Sequence, residues 1–236
     1  MLDGKPVLAI VPVRGGSKGI PRKNLYRLGK DTLLERAIKL GQRSTCVDRL
    51  VVSTDDDEMQ AIAAKRGVAM SGLRPAHLAT DSATTLDVVL EVMDKLGTTD
   101  GYILLLQATA PLRTEDDLNR LFTSFLQHPG AEGAVSVCLH EEPHPNKIQV
   151  IQNGYLRPYL GGNSLVPRQT LPPVYRFNGA FYLVTVESIL AQHTLLPKRS
   201  IPFIMPPERS INLDTMMDIH ILEALVERKL VTLEEY

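Results

Sequence analysis

Two periods of hydrophobicity alternate along the first half of this chain. Short apolar runs occupy Val7 to Val13, Leu50 to Thr54 and Tyr102 to Leu106, with two more at Ala134 to Val137 and Ala180 to Val184. They are short and nearly unbroken, so they read as strands covered on both faces. Between the early runs the period lengthens. Leu33 to Gly41, Asp57 to Arg66 and Thr85 to Leu96 carry helical patterns, and in the last of these Val88, Val89, Val92 and Met93 form the stripe of a helix laid on a sheet. A further helix is predicted after Thr114, which caps an acidic first turn, Glu115-Asp116-Asp117. Strands alternating with helices of this length predict an α/β fold with a mainly parallel sheet.

The rhythm breaks between about 141 and 173. HEEPHPNK, NGYLRPYLGGN and VPRQTLPP are rich in Pro, Gly and Asn, which predicts a hairpin-bearing excursion rather than another strand–helix unit. A surface loop and an arm for dimerisation or substrate closure both fit that composition. The strand GAFYLV, a short helix and an amphipathic helix from Thr215 to about Lys229 follow. No internal repeat or low-complexity tract divides the sequence, and residues 1–236 are expected to form one domain.

At 236 residues, with 22% charged and 44% hydrophobic positions, the composition is that of an ordinary folded domain. Lys and Arg number 26 against 27 Asp and Glu, a net charge of −1. A general nucleic-acid binder carries a visible basic excess, so any positive charge that matters here is local. Cys46 and Cys138 have no metal-ligand spacing and fit a reduced compartment better than a disulfide framework. No signal peptide is recognised, and no apolar run approaches the ~20 residues of a membrane-spanning helix. The expectation is a soluble, cytoplasmic protein with neither nucleic acid nor membrane as partner.

Positive charge is concentrated in one place. VPVRGGSKGIPRKN, 11–24, leaves the first strand and brings Arg14, Ser17, Lys18, Lys23 and Asn24 together in a single loop. In an open α/β sheet that loop is the usual seat for phosphate. Gly15 and Gly16 let backbone N–H groups turn towards an oxyanion, while Arg14, Lys18 and Lys23 bring charge. The spacing is neither that of the P-loop nor that of the dinucleotide fingerprint. A solvated basic turn has a similar composition, but a triphosphate site better explains such crowding at a sheet edge.

RGGSKGIPRKN resembles the signature loop of the acylneuraminate cytidylyltransferases, the CMP-sialic acid synthetase family. VVSTDDDEMQAIAAKRGV, LRPAHLATDSATTLDVV, LLQATAPLRT, HPNK, PRQ, NGAFYL and INLDT resemble further motifs of that family, in the same order. The resemblance implies a single Rossmann-like nucleotidyltransferase domain and a homodimer built on the 141–173 excursion. It implies transfer of CMP from CTP to the anomeric hydroxyl of a nine-carbon 2-keto sugar acid, with release of pyrophosphate. CTP contacts are implied for Arg14, Gly15, Ser17, Lys18, Lys23, Asn24, Arg74, Ala83 and Thr85.

Gln107, Lys147, Arg168 and Asn178 are implied as contacts to the sugar acid. Gln107 also lies at the carboxyl end of a buried strand, where a carboxamide costs free energy unless it finds a partner. An arginine such as Arg168 suits a planar carboxylate. The family carries Asp-x-Asp where this chain has Asn212 and Asp214, so Mg²⁺ is expected on Asp214 with Asn212 beside it. Helix capping is the bland alternative for Asp214. Arg14, Lys23, Arg168 and Asp214 are the implied catalytic residues. Kdo-type relatives carry an acidic residue near Thr109 and Ala110, which tilts the expected substrate to a nonulosonic acid. N-acetylneuraminic, legionaminic and pseudaminic acids all stay open, as does a non-catalytic nucleotide-binding module. VSTDD, 52–56, is expected to cap the next helix, and Arg113 to pair with the acidic turn that follows it.

Overall fold

Strand β1 (Val7–Pro12) is apolar throughout, and its first five residues are buried. The computed structural model, which describes residues 1–17 and 19–234 without the Met70 side chain, shows what covers it. After a ribbon of β2 (Arg27–Leu28) and β3 (Asp31–Thr32), helix α1 (Leu33–Arg43) crosses to β4 (Arg49–Ser53), parallel to β1. Helix α2 (Asp57–Lys65) leads to β5 (Ala69–Met70), parallel on the outer side of β4. Helix α3 (Thr85–Leu96) then returns, and β6 (Tyr102–Leu105) pairs with the other edge of β1. Strand order therefore reverses between β1 and β6. In open α/β sheets the ligand crevice lies beyond the carboxyl ends of the strands at such a switch point.

Helix α4 (Glu115–Leu126), β7 (Gly133–Leu139), the hairpin of β8 (Gln149–Gln152) and β9 (Tyr155–Pro158), and β10 (Tyr175–Thr185) follow. Helix α5 (Val186–Gln192), β11 (Ser200–Ile204) and α6 (Met216–Glu227) complete the chain. Among the described residues the main sheet has seven strands in the order β11-β7-β10-β6-β1-β4-β5. It is mainly parallel, and β10 enters antiparallel to both β6 and β7. The apolar pattern did not mark the outermost strands. β5 has two residues, and β11 buries only Phe203, so neither carries the two-sided burial that identifies a central strand.

Alternation on β1 divides the interior in two. Val7, Ala9 and Val11 face a large core with residues of α1, α4 and α6, while Leu8 and Ile10 face a smaller one with Val89, Val92 and Met93 of α3. Thr32, Thr84, Thr114 and Thr215 cap α1, α3, α4 and α6 in reciprocal capping boxes. Asp56 caps α2 by accepting from the Met59 N–H, as VSTDD leads one to expect.

The excursion does carry a hairpin. Asn153 and Gly154 turn it with φ of +53° and +80°, the left-handed pair that tight hairpins require. Ile151, Tyr155, Leu156, Tyr159, Leu160 and Leu165 are exposed on and around it. No described helix is long and apolar enough to cross a membrane.

Candidate active site

The elements that meet at the β1–β6 switch point enclose a cleft of about 380 Å³. Val13 and Arg14 follow β1, and Gln107, Ala108 and Thr109 follow β6. Ala83, Thr84 and Thr85 come from the start of α3, Asn212 and Asp214 from the segment before α6, and Lys23, Asn24 and Arg74 close the walls.

The cations here have carboxylate neighbours. Arg14 Nη1 pairs with Asp81 Oδ1 at 2.8 Å. Lys23 Nζ donates to the Leu213 carbonyl at 2.6 Å and pairs with Asp214 Oδ1 at 3.0 Å. Buried Asn24 donates from Nδ2 to the Arg14 carbonyl at 3.1 Å, fixing the loop where it leaves β1. A Cβ on Gly19 would lie 2.1 Å from the Asp214 carbonyl oxygen, so the loop rests directly on the segment before α6. A polyanion entering this cleft exchanges carboxylate oxygens for phosphate oxygens around the same cations.

Arg74 is a different kind of cation. It is buried and donates to the carbonyls of Val13 (3.0 Å) and Ser53 (2.7 Å) and to the Ser53 hydroxyl (3.1 Å). These bonds tie the end of β1 to the end of β4. Burial pulls its guanidinium below the ordinary value, opposed by Asp55 and Glu91 and reinforced by nearby Arg14. It remains a cation, because guanidinium is not deprotonated in proteins. Arg74 therefore forms part of the cleft wall.

Asn212 Nδ2 donates to Asp214 Oδ2 at 2.8 Å. Its Oδ1 is buried and has no hydrogen-bond partner among the described residues. An orphaned carboxamide oxygen beside a carboxylate is the donor set of a hard, oxygen-liganded cation. Asp218 holds this segment in place by accepting from the N–H groups of Asp214 (3.0 Å) and Thr215 (2.7 Å) and from the Thr215 hydroxyl (2.9 Å). Burial works against charge on Asp218, but those hydrogen bonds outweigh it and hold the carboxyl below the usual range.

Arg14, Lys23, Asn24, Arg74, Ala83, Thr85, Gln107, Asn212 and Asp214 are thus brought together. Other expected residues are placed elsewhere. The Gly15 N–H donates to Asp55 Oδ1 at 3.0 Å, and a Cβ there would meet Asp56 Oδ2 at 2.7 Å, so Gly15 packs on the turn after β4. Gly15 and Ser17 are not among the described residues lining the cleft, and Lys18 lies outside the described residues. Asn178, read from the sequence as a sugar contact, is fully buried. Its Oδ1 accepts from the Ser136 hydroxyl (2.6 Å) and the Ala180 N–H (3.2 Å), and its Nδ2 donates to the Ser210 hydroxyl (2.9 Å). Its amide is engaged inside the protein.

Lys147 and Arg168 also stand outside the cleft. Lys147 donates to the carbonyls of Ser164 (2.9 Å) and Val166, and Arg168 pairs with Glu141 and Glu142, each at 3.4 Å. Arg113 donates to the carbonyls of Gln107 (2.6 Å) and Ala180 (2.9 Å), while Asp117 of the acidic turn is paired with Arg209 at 2.6 Å. Sequence reasoning missed Asp81 as the partner of Arg14, and no local pattern marks it. Asp218 was legible, because Thr215-x-x-Asp218 has the capping-box spacing.

A cationic cleft beyond the carboxyl ends of a mainly parallel sheet, with a carboxylate and an orphaned carboxamide at its mouth, defines a nucleotide-handling α/β protein. Residues 8–156 match the cytidylyltransferase family model, and the chain belongs to that family. It is similar to post-translational flagellin modification protein B of Campylobacter coli, 29% identical over 94% of this chain and 96% of that protein. An N-acylneuraminate cytidylyltransferase of Streptococcus agalactiae is 29% identical over 92% of this chain, which spans only 52% of that longer protein. A CMP-N,N'-diacetyllegionaminic acid synthase of Legionella pneumophila is 27% identical over 94% of this chain and 96% of the relative. The fold is shared with a CMP:2-keto-3-deoxy-manno-octonic acid synthetase solved with CTP. The TM-score is 0.67 at 17% identity, covering 95% of this chain and 99% of that one.

The depressed Asp218 carboxyl gives a test of how the segment before α6 is held. Its contribution is fully present above the ordinary carboxylate value of 3.8 and is lost as pH falls through the lower folded value. Asp218→Asn should lower the urea midpoint at about pH 7, and the gap to wild type should close towards about pH 3. A gap that stays constant across that range would assign the effect to something other than the charged cap.

Proposed function

We propose that this chain transfers CMP from CTP to the anomeric hydroxyl of a nine-carbon 2-keto sugar acid of the N-acetylneuraminic type, releasing pyrophosphate. One observation carries the reading. A single cleft in a cytidylyltransferase chain sets Arg14 and Lys23 against Gln107 on one side and the Asn212–Asp214 pair on the other. The hydroxyl oxygen bonds to the α-phosphorus as the bond to the bridging oxygen of the β-phosphate breaks. Pyrophosphate leaves with that electron pair, and the hydroxyl proton passes to solvent.

Arg14 and Lys23 release Asp81 and Asp214 and take up phosphate oxygens, so they neutralise charge without forming a covalent intermediate. Asn24, Ala83 and Thr85 border the nucleoside end of the cleft. Gln107 faces the acceptor. The freed Asp214 carboxylate and the orphaned Asn212 oxygen fit Mg²⁺, which supplies charge neutralisation between triphosphate and acceptor when bound. Among the described residues no group of three His, Cys, Asp or Glu side chains is placed to hold a metal ion, so triphosphate and water would complete its ligands.

The exposed apolar surface of the hairpin supports a homodimer in which the 141–173 excursion of one protomer reaches the cleft of its partner. Lys147 and Arg168 would then serve the sugar acid from across the interface, with Arg168 exchanging Glu141 and Glu142 for the substrate carboxylate. A cytoplasmic location follows as part of the same reading. The same chemistry on legionaminic acid is the second reading, favoured by the similarity to the Legionella protein, and pseudaminic acid belongs in the same comparison.

Pyrophosphate release with CTP, Mg²⁺ and a panel of eight- and nine-carbon 2-keto acids tests the function. Turnover is expected with CTP and a nine-carbon acid; comparable turnover with UTP or ATP, or none with any acid, would refute the proposal. Asp214→Asn should cut turnover by about a hundredfold or more, the usual scale for losing one electrostatic partner of a transition state, and Asn212→Ala by much less. Equal losses in two folded variants would mean that the pair shapes the loop and binds no metal. Sedimentation should show a dimer that is lost when most of 141–173 is removed. A folded variant that stays dimeric would place the interface elsewhere.

A further inference from the structure

Strand β10 changes register between Phe177 and Tyr182. Tyr182 still pairs with Leu105, so the irregular residues lie just past the end of β6, beside Gln107. Gly179 sits in this bulge at φ +71°, and a Cβ built on it falls 2.7 Å from Gln107 Oε1 and 3.3 Å from Asn212 Oδ1. Two carboxamide oxygens from distant parts of the chain therefore converge on one point of backbone, and one of them is the buried, unpartnered oxygen of Asn212. A side chain at this position would displace the Gln107 oxygen and crowd that of Asn212.

The bulge is held from both sides. Asn178 anchors it to Ser136 and Ser210 from within the protein. Arg113, 5.7 Å over the Phe181 ring, joins the Gln107 carbonyl to the Ala180 carbonyl, so the backbone at Gln107 and the backbone at the bulge share one guanidinium. Such a frame holds the backbone at Gln107 in register with the bulge, the kind of support that positioning a reacting group requires.

We propose that Gly179 is a positioning residue for the acceptor. Its missing side chain leaves the Gln107 carboxamide its place beside the bulge, and that carboxamide seats the reacting hydroxyl of the 2-keto acid next to the Asn212–Asp214 segment. The Gln107 oxygen accepts from the hydroxyl, and the Asn212 oxygen is left to the cation. The inference rests on the functional reading above and adds to it the element that places the nucleophile.

Gly179→Ala should lower kcat/KM for the sugar acid at least tenfold, on the order expected for a small misplacement of a reacting group. The dissociation constant for CTP, measured calorimetrically without sugar, should stay within about twofold. Gly67→Ala is the control, with φ +67° and no atom within 4 Å of the added carbon; it should leave both quantities unchanged. In a Gln107→Ala background, Gly179→Ala should add less than about a twofold further loss, because the oxygen that it displaces is gone. If Gly179→Ala alone does not fold, the double variant should recover the fold for the same reason.

Equal losses in both backgrounds, weakened CTP binding, or failure of both variants to fold would overturn the inference and leave strain in β10 as the explanation. A wild type active on a 2-keto acid with Gly179→Ala equally active would refute this inference alone. A wild type inactive on every 2-keto acid would refute the functional reading and the inference with it.

Discussion

The contact between Lys23 and Asp214 joins residues 191 positions apart in sequence and makes one site of the first loop and the segment before the last helix. The same ammonium holds the Leu213 carbonyl, and the backbone of Gly19 lies against the Asp214 carbonyl. Without this closure the cations of the first loop and the carboxylate before the last helix would belong to two unrelated surfaces. The sheet supplies the location, since β1 and β6 part at the switch point, but the ion pair decides what meets there.

The pair is suited to exchange. Asp214 is 64% exposed, and a pair open to water contributes only about 0–1 kcal/mol to stability. On the proposed function a triphosphate displaces it at small cost, and Arg14 and Asp81 stand in the same relation. Arg74 is the contrast. Buried and bonded to three oxygens at the ends of β1 and β4, it would leave unpaired acceptors behind if it moved, at about 1–3 kcal/mol for each. Three arginine and lysine side chains in one cleft therefore divide into two in ion pairs with partly exposed carboxylates and one buried among backbone acceptors.

Much of the fold was legible because it rests on local patterns. Two-sided burial marks β1, β4 and β6, threonine caps mark the starts of the helices, and Asn153-Gly154 marks the hairpin turn. Most of the cleft was legible too, since Arg14, Lys23, Gln107 and Asp214 follow strand ends or precede a helix, where α/β sheets place ligands. What escaped depends on tertiary meetings. Asp81 pairs with Arg14 across 67 positions, and nothing near either residue announces it. Asn178 is as polar as a ligand-binding residue, and only its burial against Ser136 and Ser210 reveals that its amide is already engaged. Two hydrogen bonds of Arg113 reach the carbonyls of Gln107 and Ala180, tertiary contacts that the neighbouring acidic turn does not announce.

The antiparallel entry of β10 explains why Asn178 was misplaced. A parallel strand beside β6 would carry its ligand-facing residues at its own carboxyl end, where sequence reasoning looks for them. β10 runs the other way, so it is the amino-terminal half of the strand, NGAF, that lies beside Gln107. There the register shifts, Asn178 is buried against Ser136 and Ser210, and the backbone of Gly179 lies against the carboxamides of Gln107 and Asn212. The motif's most polar residue thus builds the support, and its residue without a side chain lies where the carboxamides of Gln107 and Asn212 meet. The loops after β1 and β4 follow the ordinary rules of a parallel sheet, and the surroundings of Gln107 are set by the single strand that departs from them.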